Sequence, residues 1–259
     1  MANVETALSL FQFSIETLGR IQLAREFQDD FDTHQLKLDI IQLRLSRWGE
    51  LAGISTVDNA QKNANESQHQ ATLTAVKTIL GEIQDCLVKA RREAEKLRKK
   101  LDLHGAEALD PESCLPIDLK KIRTRFMESL RKRKVQAVKV GESIKWVFYK
   151  KEHFDKFVAN ISELLDGLEK TIPEEDREKL RQLSDEECKG ISKSNMEELK
   201  DIVEGCDPWL ESSVDEKLAS GAGTVINQSH NTGSTVGIHH GDNKGVSYGA
   251  NSTQTNTFS

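Results

Sequence analysis

Proline is scarce, with four residues in 259, at positions 111, 116, 173 and 208, so long helices are permitted through most of the chain. Aromatic residues make up only 5%, and no segment before residue 221 alternates apolar and polar positions, which removes the usual signal of a sheet. Cys86, Cys114, Cys188 and Cys206 are scattered and form no Cys-x-x-Cys pair. Metal-ligand spacing is therefore missing, as is the density of a secreted disulfide scaffold, and the four read as reduced thiols of a cytoplasmic protein. Long apolar runs are missing too. Ala7 to Ile15 is cut short by Glu16 and Arg20, and Glu5 stands where a signal peptide carries a basic residue, so the segment as written is too short and too polar to span a bilayer. Catalytic signatures are equally thin. There is no Gly-x-Ser-x-Gly, phosphate loop or dinucleotide fingerprint. His34, His69, His104 and His153 stand without partners at ligand spacing, and the adjacent His239 and His240 would point to opposite faces of an extended chain. The expectation is a protein that is not an enzyme and holds no metal or cofactor.

What is present is helical periodicity and charge. Apolar residues total 37% and charged ones 30%, a balance suited to long half-exposed helices around a thin core. Leu8, Phe11, Ile15 and Leu18 share a face of a helix predicted over Val4–Ala24, and Leu10 and Phe13 widen that face beyond what a small core needs. A second helix is predicted over Asp32–Leu51, stopping near Gly53. The longest runs from about Ser67 to Leu103 on a stripe of Leu73, Val76, Leu80, Ile83, Leu87, Ala90, Ala94, Leu97 and Leu101. Further helices are expected over Asp118–Tyr149, with room for an interruption near Gly141, and over Glu152–Ile172, from Pro173 onward, Asn195–Glu204 and Pro208–Ser220, giving an all-α multi-helix bundle over residues 1–220. Lys89–Lys156 carries a net charge of +9 and Phe157–Ser220 a net of -10. The basic half reads as a solvated surface packed against the acidic helices, or as a face attracted to anionic lipid. Nucleic acid is not expected, because no aromatics interleave with the basic runs.

Residues 221–259 are different. Apart from histidine the only charges are Asp242 and Lys244, and glycine recurs at 233, 237, 241, 245 and 249, every fourth position. Val225-Ile226, Val236-Gly-Ile238 and Val246-Ser-Tyr248 supply short apolar units, and Asn231 with Gly233 and Asn243 with Gly245 repeat an Asn-x-Gly turn pattern. One such chain cannot offset an ordering cost of roughly 1–2 kcal/mol per residue, so the tail is expected to be disordered alone. Identical tails stacked in register can form cross-β, with Asn227, Gln228, Asn231, Asn243, Asn251 and Gln254 in amide ladders. A plain flexible tail on a cytosolic helical scaffold is the alternative.

The stretch Leu36-Lys-Leu-Asp-Ile-Ile-Gln-Leu-Arg-Leu-Ser-Arg-Trp-Gly49 resembles the second-helix signature of fungal HeLo domains, the helical cell-death domain of the HET-s/HET-S prion proteins. Ile21–Phe31, Ile144–Tyr149 and Phe157–Pro173 are similar to neighbouring family segments, and the likeness spans about residues 4–210. The resemblance implies a resting cytoplasmic protein whose tail is templated into amyloid by an NLR-type receptor carrying a similar motif. The helical domain then deforms, and Val4 to about Leu23, with Leu8, Leu10, Phe11, Phe13, Ile15 and Leu18, enters the anionic plasma membrane and permeabilises it. The tail departs from the HET-s pattern of two longer charge-rich repeats and resembles the sigma type of amyloid signalling motif.

Overall fold

The computed structural model describes residues 2–54, 66–101, 108–133 and 145–220, with the dipeptides 245–246 and 255–256, and describes side chains for 6–54, 71–101, 108–133 and 145–220. Two compact units divide the chain, Met1–Asp215 and Glu216–Ser259. In the first, an all-α body is assembled around one central helix, α2 (Phe31–Leu51), 15 of whose 21 residues are buried. A helix this enclosed must be apolar on nearly all sides or must meet charged partners inside, and α2 does both. Packed on it are α1 (Ala2–Leu18), the single turn α4 (Pro111–Cys114), α5 (Ile117–Lys132), α6 (Lys151–Glu169), α7 (Glu174–Glu187) and α8 (Lys193–Val203); the very long α3 (Glu66–Lys100) packs on α1 and α6, and α9 (Pro208–Ser220) begins in this unit.

The long stripe on α3 forms as its periodicity predicts. Val76, Leu80, Ile83, Leu87, Ala90 and Ala94 are buried against α1 and α6, and the helix then continues into an exposed basic end where Leu101 is 47% exposed. Pro173 precedes the first turn of α7, and Ser192 caps α8, its Oγ accepting from Asn195 N at 3.3 Å.

Three expectations are corrected. The N-terminal helix ends at Leu18 rather than Ala24, because Ile21–Leu23 forms a strand, β1, that pairs in parallel with β2 (Trp146–Phe148) in the register Ile21↔Trp146, Gln22↔Val147, Leu23↔Phe148. The same pairing contradicts the reading that no strand precedes residue 221, and it ends the helix predicted to reach Tyr149: α5 stops at Lys132 and residues 146–148 are extended. Residues 134–144 lie outside the described part. His34 is buried: its Nδ1 lies 2.8 Å from Asp30 O, and its ring meets Phe27 and Phe154 edge-on at 5.0 and 5.1 Å. An aromatic cluster of Phe27, Trp146, Phe148, Phe154 and Phe157 lies around the strand pair, so the little sheet is held by ring packing more than by its few ladder bonds.

In the second unit, β3 (Gly245–Val246) pairs antiparallel with β4 (Thr255–Asn256), Gly245 opposite Asn256 and Val246 opposite Thr255. The other tail positions singled out by sequence, Val225, Ile226, Asn227, Gln228, Asn231, Gly233, Val236, Ile238, Asn243, Tyr248, Asn251 and Gln254, lie outside the described residues.

Candidate functional site: the N-terminal helix and its seat

The inner face of α1 is Ala7, Phe11, Ile15 and Leu18, each no more than 3% exposed. Leu8, Leu10 and Phe13 are only half-buried. The six apolar residues marked by sequence thus split: Phe11, Ile15 and Leu18 seat the helix, while the other three remain partly open to solvent. Phe11 is the deepest anchor. Its ring packs on Trp48 of α2 at a centroid distance of 6.1 Å and occupies the space over Gly49, where an added Cβ would fall 2.3 Å from Phe11 Cζ. Glycine at 49 is therefore what lets the two helices approach. A few residues on, Gln42 Nε2 donates at 3.0 Å to the Ile15 carbonyl, which also accepts from Gly19 N at 3.2 Å, so the end of α1 is tied directly to α2. Gly19 leaves room for that amide, since a Cβ there would lie 2.6 Å from Gln42 Nε2.

The hexapeptide that follows on α2, Arg44-Leu-Ser-Arg-Trp-Gly49, is a hub. Arg44 donates through Nε to Glu169 Oε1 at 2.9 Å and through Nη2 to Asp166 Oδ1 at 2.5 Å, and also reaches the Ser162 and Cys206 carbonyls. Arg47 pairs with Glu187 at the end of α7, at 3.2 Å, and with Asp207, which in turn accepts from the Trp209 and Leu210 backbone at the start of α9. Arg133, just past α5, joins Glu187, Glu50 and Ser46 to the same cluster. Trp48 Nε1 donates to Thr171 Oγ1 at 3.3 Å. Burial opposes the charge on Arg44 and Arg47, yet the carboxylates of Glu169 and Asp207 more than offset it and hold both guanidiniums above their ordinary range. Burial likewise pushes the Glu187 carboxyl upward, against the pull of Arg47 and Arg133.

This cluster also answers where the two charge halves meet. Arg125 donates to the Glu186 carbonyl at 2.8 Å and Arg133 pairs with Glu187, so the basic end of α5 packs on acidic α7. The run Lys96–Lys100 at the end of α3 is exposed except for half-buried Leu97. Among the described residues no group of three or more His, Cys, Asp or Glu is placed to hold a metal, and no helix is long and apolar enough to cross a membrane.

Sequence reasoning missed Arg44, Arg47, Gly49 and their partners as functional positions. A signal was available for the arginines: Arg44 follows Ile40 by four positions and Arg47 follows Leu43 by four, which places both on the apolar face of α2.

The heterokaryon incompatibility proteins s and S of Podospora anserina are each 24% identical to this chain, over 219 and 210 residues, covering 84% and 81% of it and 73% and 70% of theirs. The structure of the HET-s N-terminal domain matches with a TM-score of 0.72 at 22% identity over 83% of this chain and 97% of that one. A doubly substituted form of that domain gives 0.71 at the same identity. The HeLo family model, described as prion-inhibition and propagation, matches residues 2–202. The chain belongs to the HeLo family.

Proposed function

We propose that this chain is the effector of a regulated cell-death response of the heterokaryon-incompatibility kind. Assembly of residues 221–259 on an amyloid template, carried by an NLR-type receptor with a similar motif, deforms the helical body, and α1 leaves its seat to permeabilise the plasma membrane. Family membership and the two heterokaryon incompatibility relatives support the cell-death part. The release of α1 is carried by one observation: the helix is apolar on more of its circumference than its seat covers, with Leu8, Leu10 and Phe13 half-buried beyond the inner face.

Length sharpens the proposal. The 17 residues of α1 extend only about 26 Å as a helix, short of the ~30 Å hydrocarbon core. Continuing the helix through Leu23 reaches about 33 Å, and that requires β1 to unpair from β2. Glu5, Glu16 and Arg20 would then face a wet lumen or pair within an oligomer, since an isolated charge at mid-bilayer costs several kcal/mol. The resting protein is cytoplasmic in this reading, and the mechanism uses neither catalysis nor a cofactor.

The test is leakage of dye from anionic vesicles by the full chain, with and without fibril seeds made from residues 221–259. Leu10→Asp with Phe13→Asp is the informative variant, because both positions are half-buried, whereas Phe11→Asp would put a charge in the core and unfold the seat. Seeded leakage is expected from the natural chain and is expected to fall to the unseeded level in the variant, with its helix content unchanged. Equal leakage from both would sink the insertion step.

A further inference from the structure

Between α1, α3 and β2 lies a cleft of about 290 Å³ that the release of α1 does not by itself explain. Phe13 and Thr17 of α1 and Leu87 and Val88 of α3 form its apolar walls. Arg20, Arg91 and Arg92 line it against a single carboxylate, Glu95. Arg91 Nε donates to Glu95 Oε1 at 3.0 Å, and Arg20 lies 3.7 Å from Glu16, so these two are partly neutralised, while Arg92 is exposed. Trp146 completes the lining. It is 5% exposed, yet its indole N–H has no hydrogen-bond partner among the described residues.

Those features specify a ligand. An excess of guanidinium over carboxylate favours an anion, and the walls favour a hydrocarbon chain. The volume is near the roughly 300 Å³ lower limit of small-molecule pockets and suits about a dozen heavy atoms. We infer that this cleft binds one small anionic amphiphile, a single-chain carboxylate whose head meets the arginines and whose chain lies along Phe13, Leu87 and Val88. Because the walls come from both α1 and α3, an occupant fastens the first helix to the body. That fastening rests on the release reading given above; occupancy of the cleft does not.

The experiment titrates the full chain by calorimetry with sodium decanoate below its micellar concentration. Decan-1-ol and sodium acetate serve as separate arms, the first keeping the chain without the charge and the second the charge without the chain. Decanoate is expected to bind one per protein with a dissociation constant on the order of 100 µM, and each control at least about tenfold more weakly. Val88→Trp, which fills the cleft from a half-exposed position, is expected to abolish binding. Arg91→Gln with Arg92→Gln is expected to weaken it about tenfold, with circular dichroism confirming that both variants fold. No binding, cooperative uptake of several equivalents, or equal affinity for decanol would overturn the site, as would binding that survives in both variants. At ten times the dissociation constant, amides of residues 7–18 are expected to exchange about tenfold more slowly with solvent. Unchanged exchange at saturation overturns the fastening, while vesicle leakage tests the release of α1 independently.

Discussion

Replacing Gly49 with alanine sets two well-understood effects against each other. Gly49 lies within α2, where alanine is ordinarily better than glycine by up to about 1 kcal/mol. The added methyl, however, would sit 2.3 Å from Phe11 Cζ and 2.5 Å from Cε2, roughly 1 Å inside the range where carbon atoms attract. The ring cannot simply turn aside, because Phe11 is 1% exposed and already lies on Trp48. Overpacking of this kind costs about 1–3 kcal/mol, so the net expectation is a loss of roughly 1–2 kcal/mol despite the helix preference. Urea denaturation measures that loss. Hydrogen exchange locates it, since amides in α1 are expected to lose more protection than those in α6. Trimming the ring should relieve the overlap: with Phe11→Leu, the alanine at 49 should cost little or become favourable, giving a coupling of about 1 kcal/mol or more in a double-mutant cycle. A Gly49→Ala protein as stable as the natural one, or more so, refutes the claim that this glycine seats the first helix.

The remaining predictions concern the body. Burial raises the Asp39 carboxyl from 3.8 to about 6, against the opposing pull of Arg123 and Gln35. The folded state therefore holds this proton more tightly than the unfolded chain, stability falls as pH rises from about 4 to 6, and ionised Asp39 costs on the order of 2–3 kcal/mol at neutral pH. Asp39→Asn is expected to be at least as stable as the natural chain at pH 7.5, with the difference narrowing by pH 4.5; denaturation at the two values tests it, and a gap that widens on acidification contradicts it. Arg47→Met leaves Glu187 and Asp207 buried without their main counter-charge and should cost about 3–5 kcal/mol by chemical denaturation. Ser192→Ala removes the cap of α8 and should cost about 1 kcal/mol, read as a drop in denaturation midpoint at unchanged slope.

Most of the helical body was legible in the residue pattern. Val76 to Ala94 kept one stripe for several turns, and the Pro208 helix began and ended where its proline and serine indicated. Alpha-helical periodicity failed at Ile21–Leu23 for a physical reason. Three residues are too few to display a period of two, and the apolar pair Ile21 and Leu23 prolongs the preceding pattern until Trp146–Phe148 supplies a ladder partner from far along the chain. The charge cluster on α2 was obscured differently. Arginine defaults to the surface in any reading of composition, and only the placement of Glu169, Glu187 and Asp207 makes burial of Arg44 and Arg47 tolerable. The oversized apolar face of α1 was visible, but its division into a seated side and a half-open side depends on Gly49 and α3, which no local window contains.

The parallel strand pair also sets a timetable during synthesis. Ile21 finds its partner Trp146 only 125 positions later, and at about 5–20 residues per second a ribosome needs roughly 6–25 s to supply it. Until residue 100 is made the nascent chain carries Leu10, Phe13 and Ile21 without a complete α3 to cover them, and until residue 148 is made it carries them without β2. The newborn chain thus passes through a stage in which its most apolar helix is incompletely covered, and escape from that stage depends on how soon residue 148 follows residue 23 out of the ribosome.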